Sequence, residues 1–286
     1  VSRFVLGSAG FNRIDQSNVD RLICTANDLG IRSIDTAPSY GNSESIIGSS
    51  KIIRNWEVFT KLGNPGSKFM NRDEIIKSVD NSLYNLNIDC IHTLFIHSMS
   101  MNDVPDEMLA VVEELRTRGK ILFTGYSGDG DDLRIALTKN RFDSIMSTLN
   151  VLDISNIKIL KESRQKNIYL KRILCNGVFQ FNPKLEFIDF FFGKHELNDI
   201  QNSYRFRFKK MFGHRKLFHN YAKLFLDYLF SLELPAKYLI GTVNTKHLHE
   251  LIQLESDLKV WPADQLSDYH QNWEKYAEIF SWKPLV

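Results

Sequence analysis

Four side chains in the first hundred residues could together move a proton and steady a developing charge: Asp35, Tyr40, Lys61 and His97. Three of them close short apolar runs of strand length, Asp35 after Ile31-Arg32-Ser33-Ile34, Lys61 after Val58-Phe59-Thr60 and His97 after Thr93-Leu94-Phe95-Ile96. Tyr40 follows Asp35 in the run Asp35-Thr36-Ala37-Pro38-Ser39-Tyr40-Gly41-Asn42-Ser43-Glu44, a loop short enough to fold back over the same place. Taken singly, a strand-end lysine is ordinarily a surface charge, a lone histidine a structural one, and a tyrosine beside glycine a packing residue. Their recurrence at three successive strand ends argues for one site. A phenol ordinarily titrates near about 10 and is a poor acid at neutral pH. A neighbouring ammonium favours its charged form, so Lys61 would make Tyr40 useful, and Asp35 would keep Lys61 protonated and in position.

Such side chains meet only if the elements beneath them converge. The chain alternates short apolar runs with stretches of helical periodicity, the pattern of βα units around a parallel sheet. Strands are expected at 4–8, 31–35, 57–61, 91–96, 121–126, 142–149, 167–173 and 237–241. Between them, Val19, Leu22, Ile23, Ala26 and Leu29 form a helix face after Ser17 as cap, and Ile75, Ile76, Val79, Leu83 and Leu86 another after Asn71. A third helix opens at Pro105-Asp106-Glu107, where proline and acids suit a helix start, and stops at Gly119. Strands alternating in this way imply an α/β chain folded as a (β/α)8 barrel, a TIM barrel whose active site lies at the C-terminal ends of the strands. An open doubly wound sheet would call for a GxGxxG turn, which the sequence lacks.

The reading treats residues 1–286 as one barrel domain. Its rhythm breaks at about 178–216, which carries Phe179, Phe181, Phe187, Phe190, Phe191 and Phe192 and then Arg205, Arg207, Lys209, Lys210, Arg215 and Lys216. A connection this long is either a functional loop or a locally packed excursion. Helices are expected at 246–256 and 264–281, the latter within a tail, about 262–286, that covers part of the barrel.

Composition narrows the partners. The 286 residues are 43% hydrophobic, enough for a large core. With 36 basic against 34 acidic residues the formal charge is +2, which gives no field of the kind that draws proteins to nucleic acid or anionic membranes. Cys24, Cys90 and Cys175 have neither disulfide-framework nor metal-ligand spacing, so no metal is expected and a reducing compartment fits. No apolar stretch reaches the length of a membrane span and no secretion signal is evident, so the expected location is cytoplasmic. A small-molecule partner is expected, and the oligomeric state stays open.

The motifs resemble those of the aldo-keto reductase family. The run GIRSIDTAPSYGNSESIIG at 30–48 is similar to that family's signature around its catalytic Asp and Tyr, VFTKLG to its Lys strand, and SVDNSLYNLNIDCIHTLFIHS at 78–98 to the helix and strand that deliver its His. RGKILFTGYS at 118–127 and YLIGTVNTKHLHEL at 238–251 resemble two further segments, so the likeness spans nearly the whole chain. The resemblance implies a catalytic tetrad of Asp35, Tyr40, Lys61 and His97. It also implies NAD(P)H-dependent hydride transfer to the carbonyl of an aldehyde, ketone or sugar, with Tyr40 donating the proton and His97 hydrogen-bonding the same oxygen. Cofactor contacts are implied at Gly7, Ser8, Ser127, Gly128, Arg172, Gly241, Thr242, Asn244 and Lys246. NADPH is favoured over NAD(H), with Lys246 and Arg172 as charges for the 2′-phosphate and Thr242, Asn244 and the helix start near Thr245 as phosphate donors.

The sequence departs from the family pattern at the nicotinamide end. Gly128 follows Ser127 where the family commonly has Asn, Met146 falls where a Gln is usual, and Lys171-Arg172 fall where an aromatic stacks on the ring. These departures keep a second reading open, a nicotinamide-nucleotide sensor or regulatory subunit of the kind found among potassium-channel β-subunits of this family. A third, Schiff-base chemistry at Lys61 in a barrel isomerase or aldolase, is disfavoured by the Asp35 and Tyr40 pattern.

Overall fold

The computed structural model describes residues 2–64, 69–177, 199–213 and 220–284. Its strands are Phe4–Gly7 (β1), Ser33–Asp35 (β2), Glu57–Leu62 (β3), Ile91–His97 (β4), Ile121–Ser127 (β5), Ser144–Thr148 (β6), Asn167–Lys171 (β7) and Ala236–Gly241 (β8). They run parallel in chain order and close into a barrel, β8 returning to pair with β1. This is the (β/α)8 architecture the alternating pattern implies. β2 and β6 are shorter than the apolar runs at 31–35 and 142–149 suggest.

The described helices are Gln16–Asp28 (α1), Ser43–Gly48 (α2), Arg72–Leu86 (α3), Asp106–Thr117 (α4), Gly130–Lys139 (α5), Ile157–Glu162 (α6), Asp199–Phe212 (α7), Tyr221–Ser231 (α8), Thr245–Leu254 (α9) and Ala263–Ile279 (α10). α1 buries Val19, Leu22, Ile23 and Ala26 as its periodicity implies, but its cap is Asp15 rather than Ser17. The Asp15 carboxylate accepts the Asn18 N–H at 2.8 Å, and the Ser17 hydroxyl donates to that carboxylate at 2.9 Å instead of capping the helix itself. α3 starts at Asn71, which exchanges hydrogen bonds with Glu74 at 3.0 and 2.8 Å, so two otherwise orphaned N–H groups are satisfied reciprocally.

Every second strand residue faces the lumen. Val5, Phe59, Phe95, Met146 and Tyr169, with Leu239 against them, form a buried cluster separate from the larger core between strands and helices. Phe59 and Tyr169 meet edge-on with ring centroids 4.9 Å apart. Gly125 makes room for this packing, since a Cβ there would lie 2.4 Å from the Phe95 ring. The lumen is therefore filled, and the groups available for chemistry are those of the next inward layer, at the C-terminal rim. Two residues beyond the lumen cluster on the same strands, that layer comprises Gly7, Lys61, His97, Thr148, Lys171 and Gly241, joined by Asp35 and Ser127, which pair with Gly7 and His97.

Part of the 178–216 excursion is helical, as α7. Phe179, Phe181, Phe187, Phe190, Phe191 and Phe192, with Arg215 and Lys216, lie outside the described residues. Arg207, grouped above with a basic cluster, turns inward instead: its guanidinium lies 3.5 Å from the Asp153 carboxylate and donates to Leu152 O at 3.2 Å. The tail helix α10 docks on the same loop, Trp273 Nε1 donating to Leu152 O at 3.2 Å and the Tyr269 hydroxyl to Val151 O. No described helix is long and apolar enough to cross a membrane.

Candidate active site

β2 and β3 place Asp35 and Lys61 on adjacent inward positions, where both are almost fully buried. Lys61 Nζ donates to both Asp35 carboxylate oxygens and to Thr36 O, each at 2.7 Å. Burial works to discharge this lysine, yet Asp35, and Tyr40 after it, hold its pKa above the ordinary ammonium range. Burial likewise pushes the Asp35 carboxyl up, while Lys61 pulls it back. The pair is a buried charge with excellent geometry, the condition under which such a pair is tolerated.

Tyr40 reaches the same place from the β2–α2 loop. Its N–H donates to Ala37 O at 3.0 Å in a tight turn, and Gly41 follows at φ +64°, a conformation glycine adopts without steric cost. Two buried side chains pin the turn to the barrel: the Ser43 hydroxyl donates to Ser8 O at 3.1 Å, and Thr60 Oγ1 donates to Glu44 at 2.7 Å. The Tyr40 ring then lies with its centroid 4.9 Å from Lys61 Nζ and 6.1 Å from the His97 ring, edge-on at 85°. Burial, reinforced by the Lys61 and Lys171 charges, pushes the His97 pKa down to about 3. At neutral pH His97 is an uncharged hydrogen-bonding group beside an ammonium and a phenol.

The remaining rim residues differ in what they expose. Gly7 and Gly241 are register partners on β1 and β8. A Cβ on Gly241 would meet nothing within 4 Å, and one on Gly7 would make ordinary contacts with Ile240 O at 3.4 Å and Gly241 Cα at 3.6 Å. This sector of the rim is bare backbone, with room for a planar group. Beyond it, Thr242 Oγ1 accepts the Asn244 N–H at 3.1 Å and the Asn244 side chain accepts the Lys246 N–H at 2.9 Å, capping α9. The Lys246 ammonium projects from the first turn, 81% exposed and 3.9 Å from Glu250. A bare rim beside a helix N-terminus with hydroxyl, amide and ammonium groups fits a phosphate-bearing cofactor.

Four other residues named from sequence sit differently. Ser8 is buried, and its hydroxyl has no partner among the described residues. Ser127 is buried and pairs with His97 in register. The Gly128 N–H donates to Met146 O at 3.0 Å, and a Cβ there would lie 2.5 Å from the Tyr126 ring, so this glycine is packed inward. Arg172 has φ +57°, and its charge acts on Asp129 and Lys171. Met146 belongs to the lumen cluster, and the strand-6 residue at the rim is Thr148.

Sequence reasoning missed Asp129 and undervalued Lys171. Asp129 is buried just past β5 and lies 3.3 Å from Lys171 Nζ. Although burial works against its charge, Lys171, the Thr148 N–H and the Ser147 hydroxyl hold its pKa below the ordinary carboxylate range. Burial pushes Lys171 below the ordinary ammonium range, with Asp129 opposing and Arg172 and Lys61 assisting. The mouth thus holds two carboxylate–ammonium pairs. The step of two from Tyr169 to Lys171 was the available signal.

A model of the Aldo/keto reductase family matches residues 3–267. The chain is similar to D-arabinose 1-dehydrogenase of Saccharomyces cerevisiae, 30% identical over 205 residues that cover 62% of this chain and 60% of the yeast protein. It is also similar to L-galactose dehydrogenase of Arabidopsis thaliana, 29% identical over 134 residues that cover 43% of this chain and 42% of the plant protein. The chain therefore spans less than two thirds of either curated relative. An aldo-keto reductase from Bacillus halodurans, solved in its holo form, superposes with a TM-score of 0.73 at 19% identity over 95% of this chain and 92% of that one, a likeness of fold. The tetrad residues at one barrel mouth and a family match running almost end to end agree: this chain belongs to the aldo/keto reductase family.

Proposed function

We propose that the chain is an NAD(P)H-dependent oxidoreductase that interconverts a small aldehyde, ketone or sugar with its alcohol. The observation that carries this reading is the convergence of Tyr40, Lys61 and His97 on one patch of the rim, with Asp35 fixing Lys61 from below. A reduced nicotinamide cofactor, when bound, supplies the hydride. In the direction of reduction, Tyr40 gives its hydroxyl proton to the carbonyl oxygen as negative charge develops there. The Lys61 ammonium beside the ring steadies the charge left on the phenolic oxygen, and solvent returns the proton. His97, uncharged, hydrogen-bonds the same substrate oxygen; one such donor is ordinarily worth about 3–4 kcal/mol of transition-state stabilisation. Asp35 acts through Lys61 and is a positioning residue.

Gly7 and Gly241 would floor the nicotinamide region, with Ser127 and Arg172 on the β5 and β7 sides, and Thr242, Asn244 and Lys246 would hold phosphate. The exposed Lys246 ammonium supports NADPH over NADH. The two sugar dehydrogenases among its relatives support an aldose as substrate. A cytoplasmic site of action accords with cysteines that lack disulfide spacing.

The test is direct. Purified protein is mixed with NADPH or NADH and a panel of aldehydes, ketones and aldoses, and with the oxidised cofactors and the matching alcohols and sugars, while absorbance at the reduced-cofactor band is followed. Turnover with at least one carbonyl is expected, faster with NADPH. Cofactor binding with no turnover across the panel would contradict the reading and favour a sensor.

A further inference from the structure

The rim carries a second buried ammonium that the proton transfer does not use. Lys171 stands two residues beyond Tyr169 on β7, on the strand face that fills the lumen, and its charge acts on Asp35, Lys61 and His97. Lys61 is engaged by three acceptors at 2.7 Å. Lys171 has a single partner among the described residues, Asp129, at 3.3 Å. The Asp129 charge is dispersed over other donors: the Ser147 hydroxyl at 2.8 Å, the Thr148 N–H at 2.7 Å and hydroxyl at 3.1 Å, and Asn156 Nδ2 at 2.9 Å. The Asp129 side chain is 0% exposed and that of Lys171 17%, so the ammonium is the member of the pair nearer the opening. Asp35 offsets Lys61, Asp129 offsets Lys171, and His97 is neutral at neutral pH. On the β7 side the positive end of the Lys171–Asp129 pair therefore faces the opening.

Giving up a hydride turns an uncharged dihydropyridine into a pyridinium cation. The hydride and the proton from Tyr40 would be delivered to one carbonyl group, so the ring would lie in this same mouth. Building on the nicotinamide reading above, we infer that Lys171 selects the oxidation state of the cofactor: the site takes the uncharged reduced ring in preference to the cationic oxidised one. Asp129 tempers that preference. Like charges repel strongly in a water-poor site, and salt screens a buried pair far less than an exposed one. The preference loads the protein for reduction and speeds loss of the oxidised product.

The two forms share their adenosine and phosphates, so the ratio of their dissociation constants isolates the ring. Equilibrium titrations of NADPH and NADP+ should give wild-type protein that binds the reduced form about tenfold more tightly, equivalent to about 1.4 kcal/mol. Lys171→Met should bring the two constants toward equality, Lys171→Arg should retain the wild-type ratio, and Asp129→Asn, which removes the counter-charge and keeps a hydrogen-bonding side chain, should widen it. A wild-type protein without preference, or a Lys171→Met ratio equal to wild type, overturns the inference while leaving the proposed reaction standing. Binding of neither form by the wild type overturns the nicotinamide reading, and the inference with it.

Discussion

At the scale of single residues, the site depends on holding one imidazole uncharged within reach of the charges of Lys61 and Lys171. The folded-state pKa of His97 is about 3, against about 6.5 for an unperturbed histidine. The unfolded chain therefore takes up a proton between those values that the folded protein refuses, and this residue's contribution to stability falls as pH drops from about 6.5 toward 3. Denaturant unfolding at a series of pH values should show His97→Gln losing part of the acid sensitivity of the wild type. The His97 imidazole signal should show no titration between pH 5 and 8; a midpoint near neutrality would contradict the buried environment described. Asp35, Lys61 and His97 were legible from sequence because each polar residue ends an apolar run. Lys171 also ends an apolar run, Ile168-Tyr169-Leu170, but the strand expected at 167–173 carried past it, so it was not marked as a strand-end residue; the observed strand stops at Lys171. Asp129 was hidden by its place in a Gly-flanked loop, which composition reads as a turn.

At the scale of elements, the rim is only as firm as the contacts that hold its loops. α2, which follows the Tyr40 turn, lies so close to the end of α3 that a Cβ at Gly48 would stand 2.1 Å from Asn85 O. Backbone at that distance cannot yield as a side-chain tip would. Gly48→Ala should destabilise the protein by about 3 kcal/mol, toward the upper end for overpacking, and should also lower turnover by displacing the turn that carries Tyr40. Thermal melts paired with steady-state rates test both effects; unchanged turnover in a destabilised variant would separate α2 from the site. All eight strands could be placed from sequence, since parallel strands buried on both faces read as continuous apolar runs. The α1 cap could not, because Asp15 and Ser17 are both good caps and only the backbone path decides which one reaches the Asn18 N–H.

At the scale of the whole molecule, closure of the barrel and coverage of its rim are different problems. Closure follows from strand count and alternation. Coverage does not: the periodicity of α10 shows that it has an apolar face, and nothing in that periodicity says the face meets the loop after β6. The structure supplies the answer in Trp273, Tyr269 and Arg207, which converge on residues 151–153. Trp273→Ala should cost about 3–5 kcal/mol, the range for truncating a buried aromatic, with the end proposed to hold phosphate unaffected because β8 and α9 lie elsewhere on the ring. A loss below about 1 kcal/mol in chemical denaturation would show that the tail contributes little to the fold.

The claim on which the functional account rests is that the hydroxyl of Tyr40 supplies the proton for carbonyl reduction. Tyr40→Phe removes that hydroxyl and keeps the ring beside Lys61 and His97. Measuring kcat and the cofactor dissociation constant on the same preparation should show turnover falling by roughly 100-fold or more, as expected for loss of a general acid, with cofactor affinity close to wild type. Turnover within a few fold of wild type would contradict the account.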